Sequence, residues 1–215
     1  VDCLVLRTSS HDDLISVSRY SRCPVINGLT NYAHPCQALA DVMTMEQIFS
    51  GLSGLRVAYV GDANNVAFSL GLLSCKLGME FRIAAPTGYR FSPEQVSLVE
   101  KHAARQGLFR QHELAADAVR EADVVYTDVW TSMGQESEEQ ARRLAFRDYQ
   151  VNRELFELAD PKACFMHCLP ARRGEEVTAE VIDGPRSATI LQAENRMHAQ
   201  KGLVVWLLTE SQQGA

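Results

Sequence analysis

The sequence lacks long apolar runs: none approaches the ~20 residues needed to span a bilayer, and no signal-peptide pattern opens it. It also lacks a basic excess. Lys and Arg total 21 against 27 Asp and Glu, a net charge of −6 with no basic cluster, which argues against a nucleic-acid partner. Cysteines are too few and too scattered for a small secreted disulfide framework, six in 215 residues. Cys164 and Cys168 are the one close pair, and no second pair completes a zinc site. Reduced thiols and residence in the cytoplasm are the resulting expectation. Neither Gly-x-Gly-x-x-Gly nor a Walker A sequence is present. The turn after residues 55–60 has one glycine, and the next strand ends at Ala85-Pro86-Thr87 without an acid to hold a ribose. A dinucleotide site is therefore not expected.

What is present is an alternating pattern. At 46% hydrophobic the chain can bury a core of one or two domains. Strand-like stretches at 55–60, 81–85, 108–112, 123–127 and 163–167 are separated by helical patterns at 66–77, 93–105 and 115–121. Such alternation means βαβ units, and the expected fold class is α/β, a doubly wound parallel sheet covered on both faces. Ahead of it, residues 2–7 and 24–26 read as strands around a helix at 12–20. Two strands and a helix cannot bury their own faces, and the chain opens without an initiator Met. These residues are expected to be a partial second α/β domain whose earlier part is absent. A helix running on to Phe49 follows, with Pro35 at its first position and His34 as its cap. His34, Gln37 and Asp41 fall at i, i+3 and i+7 on one face. In the positive field of the helix start that face suits an anion, and the plain alternative is a solvated first turn.

The most informative stretch is Phe165-Met166-His167-Cys168-Leu169-Pro170. Pro170 cannot donate to a ladder and pushes Leu169 away from the helical region, so the chain leaves the sheet here. A thiol, an imidazole and a free carbonyl arrive at a strand end, where open α/β sheets bind ligands. The plain alternative is that Cys168 is a small buried apolar residue. Polar turns also follow other strands, at 62–65 and 128–134. In a doubly wound sheet Asn65, Asp128 and Cys168 can converge on one cleft. Asp128 there wants a cationic group, unless it serves only as a turn residue. Arg7, His34 and Arg196 want an anionic one. Two substrates of opposite local charge are expected.

At this point four segments resemble the ornithine branch of the aspartate/ornithine carbamoyltransferase family. They are His34-Pro-Cys-Gln37, Asp128-Val-Trp-Thr-Ser132-Met133-Gly134, His167-Cys-Leu-Pro170 and Glu194-Asn-Arg196, in the family's order over nearly the whole chain. Ser-Met-Gly discriminates: putrescine enzymes carry a different loop, and acylornithine substrates lack the free α-amine that the Asp serves. The resemblance implies that Arg7, His34 and Gln37 hold carbamoyl phosphate. It implies Asn65, Asp128, Ser132 and Met133 for ornithine, with Asp128 facing the α-ammonium. Cys168 and Leu169 would lie where the substrates meet, and Arg196 would reach the carbamoyl oxygen. Cys168, Arg7, His34 and Arg196 are the catalytic residues so implied, with no cofactor or metal, and a homotrimer as the assembly. The family's Ser-x-Arg-Thr-Arg phosphate grip occurs nowhere in these residues, so the chain is expected to be a fragment, inactive alone.

The implied organisation is a carbamoyl phosphate remnant at 1–33, an interdomain helix at 34–50, an ornithine-binding domain at 51–193 and a returning helix at 194–215. That helix ends in Leu203-Val-Val-Trp-Leu-Leu208 and is expected to leave an apolar surface around Trp206, with the strands within residues 2–26. The implied chemistry is attack by a neutral δ-amine on the carbamoyl carbon. Ornithine's amine resembles lysine, with pKa about 10.4, so freeing it near pH 7.5 costs roughly 4 kcal/mol. Acceptors such as Cys168 and the Leu169 carbonyl would favour the neutral form. Alternatives are a related amine or acylated ornithine as acceptor, a hydrolase with Cys168 as covalent nucleophile, or a binding protein without turnover. The hydrolase needs a base beside the thiol, and His167, the neighbouring strand residue, should face the other way.

Overall fold

The computed structural model describes residues 1–132 and 134–213. Strands β1 (Leu4–Arg7) and β2 (Val25–Leu29) pair in parallel, with helix α1 (His11–Tyr20) crossing between them. Ser10 caps α1 by accepting from the Asp13 amide, with Asp12 and Asp13 in its first turn, where carboxylates meet the positive end of the helix. Helix α2 (Pro35–Phe49) leads into the larger unit. His34 stands at the position before it, as expected, but its side chain makes no capping bond.

The larger sheet has five parallel strands in the order β5-β4-β3-β6-β7: Phe109–His112, Glu80–Ala84, Arg56–Val60, Val124–Thr127 and Cys164–His167. The chain builds outward from β3 through α3 (Asn65–Lys76) and α4 (Pro93–His102), then returns through α5 (Ala115–Val119) to lay β6 on the other side of β3. That reversal is the topological switch point of a doubly wound sheet, and it opens a crevice at the strands' carboxyl ends. Alternation along β3 sends Val57 and Tyr59 to one face and Ala58 and Val60 to the other, and both faces are buried. Tyr59 and Tyr126 sit opposite each other in register and stack with ring centroids 5.4 Å apart.

The stretch between Ser132 and β7, for which the sequence suggests no elements, holds α6 (Glu139–Ala145) and α7 (Arg153–Phe156), and α8 (Ala179–Ile182) follows β7. The last helix, α9 (Thr189–Gln213), begins five residues before the position expected from the sequence. The apolar run from residue 203 masks that start, because the first turns are fixed by polar contacts: Gln192 and Asn195 are buried and bond back to α2. Val5, Tyr20, Val205 and Trp206 are exposed. No helix among the described residues is long and apolar enough to cross a membrane.

Candidate functional site

A cleft of about 1220 Å³ lies between the carboxyl ends of β3, β6 and β7 and the loops that follow β1 and β2. Its wall includes Arg7, His34, Gln37, Asn65, Asp128, Ser132, Cys168, Leu169 and Arg196, and also Arg90 and the ion-paired Arg142. Met133, the remaining site residue expected from the sequence, lies outside the described residues.

The acidic end is built at the switch point. Gly61 follows β3 with φ 138°, a backbone that disfavours a side chain, and a Cβ there would sit 3.5 Å from Thr127 Oγ1. That hydroxyl donates to the Val60 carbonyl at 2.6 Å and ties the ends of β3 and β6 together. Asp128 is buried and takes three donors. The Cys168 thiol reaches Oδ1 at 3.0 Å, the Val129 amide reaches Oδ1 at 2.8 Å, and Asn64 Nδ2 reaches Oδ2 at 2.8 Å. Asn64, not Asn65, caps α3, its oxygen accepting from the amides of Val66 and Ala67. Asn65 lines the cleft but commits its amide nitrogen to the Thr30 carbonyl at 2.6 Å, linking the loop after β2 to α3.

The opposite end carries Arg7, Arg196 and His34. Burial, then Arg196 and Arg7, hold the His34 imidazole down to about 4, so the ring is neutral and presents one donor and one acceptor. Its Nδ1 has no partner within the described protein. Arg196 donates to Gln37 Oε1 at 2.6 Å. Gln37 Nε2 in turn donates to Asp41 Oδ1 at 2.8 Å, and Gln192 Nε2 reaches the same oxygen at 2.6 Å.

Between the two ends runs the His167-Cys168-Leu169-Pro170 turn. Leu169 takes φ 59°, and its peptide to Pro170 is cis. Burial, then the Asp128 carboxylate, push the Cys168 thiol well above its usual range, so it is a protonated donor. His167 follows Phe165 toward the face where Glu176 lies, and Cys168 follows Met166 toward the other, as alternation along β7 predicts. A His167 ring nitrogen still lies within 4.8 Å of Cys168 Sγ and an Asp128 oxygen. Both nitrogens are nonetheless committed. The Leu169 amide donates to Nδ1 at 2.8 Å, which puts the proton on Nε2, where it meets Glu176 Oε1 at 3.2 Å. Glu176 is fully buried and also accepts from the Arg172 amide. With both His167 nitrogens engaged elsewhere and the Cys168 thiol bonded to Asp128, the three side chains do not make a metal donor set.

The loop after Asp128 is held from behind. Arg142 of α6 is buried and bonds Asp62 Oδ2 at 2.8 Å, the Trp130 carbonyl at 3.0 Å and Glu138 at 3.0 Å, with its guanidinium 5.0 Å from the Tyr89 ring centroid. Burial raises the Asp62 carboxyl, and the Arg142 bond opposes that rise. Ser132 closes the loop with Gln135, whose side chain accepts from the Ser132 amide at 3.0 Å. Asn64, Arg142, Glu176 and Gln192 are thus structural partners of the site that sequence reasoning missed. Asn64 had a local signal, an Asn-Asn pair at a helix start; Arg142 and Gln192 act over long separations, and Glu176 meets His167 nine residues away across an irregular turn, with no spacing to read.

Residues 53–207 match the family model for the aspartate/ornithine carbamoyltransferase Asp/Orn-binding domain, and residues 1–47 match that for the carbamoyl-P-binding domain. The ornithine carbamoyltransferase of Methanothermobacter thermautotrophicus is 51% identical over 209 residues, which are 97% of this chain and 69% of that protein. That of Symbiobacterium thermophilum is 50% identical over 97% of this chain and 67% of its own length. The solved ornithine carbamoyltransferase of Pyrococcus furiosus superposes with a TM-score of 0.93 at 47% identity, covering 97% of this chain and 67% of that one. The chain spans about two thirds of the length of these relatives.

Proposed function

Because the chain belongs to the aspartate/ornithine carbamoyltransferase family, we propose that its cleft transfers the carbamoyl group of carbamoyl phosphate to the δ-amine of L-ornithine, giving citrulline and phosphate. The observation that carries this reading is the lining of the cleft, which brings the Arg7 and Arg196 guanidinium groups and the buried Asp128 carboxylate onto one cavity. Carbamoyl phosphate lies at the Arg7, His34, Gln37 and Arg196 end. The α-ammonium of ornithine faces Asp128, with Asn65 and Ser132 along the same side, and Met133 is assigned to the same substrate. A free α-ammonium, and not an acylated one, is what a buried carboxylate selects. Residues 1–33 serve the first substrate and 51–193 the second, with α2 and α9 between them. Assembly as a homotrimer and residence in the cytoplasm belong to the same proposal.

The chemistry follows from the protonation states. The ammonium gives one proton to solvent to become a nucleophile, and partial desolvation in the cleft lowers that cost. The amine attacks the carbamoyl carbon, and the developing oxyanion is met by Arg7 and Arg196, with His34 as a neutral donor. The C–O bond to phosphate then breaks. Phosphate departs as hydrogen phosphate, so the second amine proton leaves with it. Cys168 holds its own proton and Asp128 already takes three donors, so neither is a free base. Cys168 and the Leu169 carbonyl position the amine. The same facts count against a Cys168 nucleophile, which needs a thiolate and a free histidine.

The test is citrulline formation by the full-length gene product supplied with ornithine and labelled carbamoyl phosphate. N-acetylornithine as sole acceptor should give no product. Turnover of the acetylated substrate alone would move the specificity, and turnover of neither would overturn the reading.

A further inference from the structure

Asp41 is a fully buried carboxylic acid on α2 with no cation bonded to it. One oxygen accepts from Gln37 Nε2 and Gln192 Nε2, and Oδ2 has no partner in the described protein. Leaving a carboxylate in such a place is costly. Its effect lies in the two amides. An ionised carboxylate only accepts, so both glutamines must turn their NH2 groups toward it. Gln37 Oε1 is then forced toward Arg196, where it accepts at 2.6 Å. Gln192 Oε1 is forced toward the His167 amide, where it accepts at 2.9 Å. One acceptor thereby fixes a guanidinium at the carbamoyl end and the first residue of the turn that carries Cys168.

Resting on the carbamoyltransferase reading above, we propose that Asp41 is a positioning residue of the reaction: as an obligate acceptor it orients Gln37 and Gln192, and through them holds Arg196 ready for the carbamoyl oxygen. A neutral amide at this position could face either way and would let Gln37 turn its NH2 toward Arg196, donor against donor. Protonation of Asp41 weakens the same restraint. The groups facing Asp41 are Gln37 from its own helix, Tyr59 from β3, Tyr126 from β6, Cys168 from the turn, and Gln192 and Arg196 from α9. Burial carries both tyrosines and the thiol well above their usual values and His34 down to about 4. Asp41, pushed up to about 7 by burial against the opposing pull of Gln37, Gln192 and the nearby Tyr126 hydroxyl, is the one that changes charge near neutrality.

The experiment is the pH dependence of the carbamoyl phosphate KM in the full-length gene product, wild type and Asp41→Asn. In the wild type KM should rise about tenfold from pH 8 to pH 6, following the ionised fraction of an acid titrating near 7. Asp41→Asn should show a flat profile with KM raised about tenfold or more at pH 8, the ornithine KM within about threefold, and a melting temperature no lower than wild type. A flat wild-type profile overturns the proposal without any variant. So does a normal KM in Asp41→Asn, or a loss in both substrates that tracks a fall in melting temperature, which is what a merely structural role gives. A wild type that forms no citrulline refutes the reading of the cleft and this inference with it.

Discussion

Replacing Asp128 by Asn keeps the shape of the acidic end and removes its charge. The carboxylate accepts from Cys168 Sγ, the Val129 amide and Asn64 Nδ2. An amide offers one acceptor oxygen and one NH2. If the NH2 faces Asn64, two donors meet. Asn64 cannot turn to relieve them, because its oxygen caps α3; turning it costs the cap, about 1 kcal/mol. If the NH2 faces the other way, the Val129 amide loses its acceptor. Either arrangement leaves a buried donor unpaired, at about 1–3 kcal/mol of stability. The ligand loses more specifically. A charge-assisted bond to the α-ammonium is worth roughly 1.5–3 kcal/mol, so ornithine affinity should fall about ten- to a hundredfold while carbamoyl phosphate affinity stays within about threefold. Calorimetric titration of each ligand into the full-length gene product reads this directly, with urea unfolding as the companion measurement. Equal losses for both ligands would refute the assignment of Asp128 to the amino-acid end. An unchanged ornithine affinity would refute the reading of the cleft lining altogether.

Cys168→Ser should keep sequential kinetics and lose less than about a hundredfold in kcat, the low end of what a general base contributes; a trapped carbamoyl-thioester would reverse the reading. In the wild type, the raised Cys168 thiol should alkylate slowly at about pH 8, where an ordinary thiol of pKa about 8.5 is partly ionised. Arg142→Leu strands the buried Asp62 carboxylate and frees the loop that bears Ser132. It should cost about 3–5 kcal/mol in urea unfolding and raise the ornithine KM more than the carbamoyl phosphate KM. His34 should show no imidazole titration by NMR between about pH 5.5 and 8. Its folded value of about 4 lies below the ordinary 6.5, so the unfolded chain takes up the proton first as pH falls through that window. Stability from this group is present above pH ~6.5 and about 3 kcal/mol of it is lost by pH ~4.

The sheet was legible because each strand announces itself locally. Residues 55–60 and 123–127 are β-rich runs bounded by turn residues, and the helices between them keep an apolar face. The strand order was not in the pattern, yet the convergence of residues after β3, β6 and β7 required only that the sheet reverse once. The region between Ser132 and β7 was opaque for a physical reason: α6 and α7 are short, seven and four residues, below the length at which periodicity declares itself. Asn65 was singled out by its place beside a strand end, but its neighbour Asn64 does the capping and holds Asp128. The Asn-Asn pair signals a cap, but two adjacent identical residues do not say which of them serves it. The support behind the site was least visible. Arg142 meets Asp62 across 80 residues, and Gln192 meets Asp41 across 151. Such pairs are made by the fold and have no spacing to read.

Arg196 sits on a helix clamped beside it. Asn195 donates to Thr44 Oγ1 at 2.9 Å and to Gln47 Oε1 at 2.8 Å, and Gln192 is fastened one turn earlier. Beyond that clamp α9 continues past Trp206, whose Cα is about 15 Å along the axis from that of Arg196. The arrangement is a lever with its fulcrum next to the functional group: Arg196 is about 1.5 Å from Asn195 along the helix axis, so a 1 Å sway at Trp206 moves the guanidinium's root by only about 0.1 Å. The outer turns of the helix can be bent, bound or substituted with little consequence for the geometry at the carbamoyl end. Loosening the clamp at Asn195 would reverse that ratio and make Arg196 answer to whatever touches the exposed end.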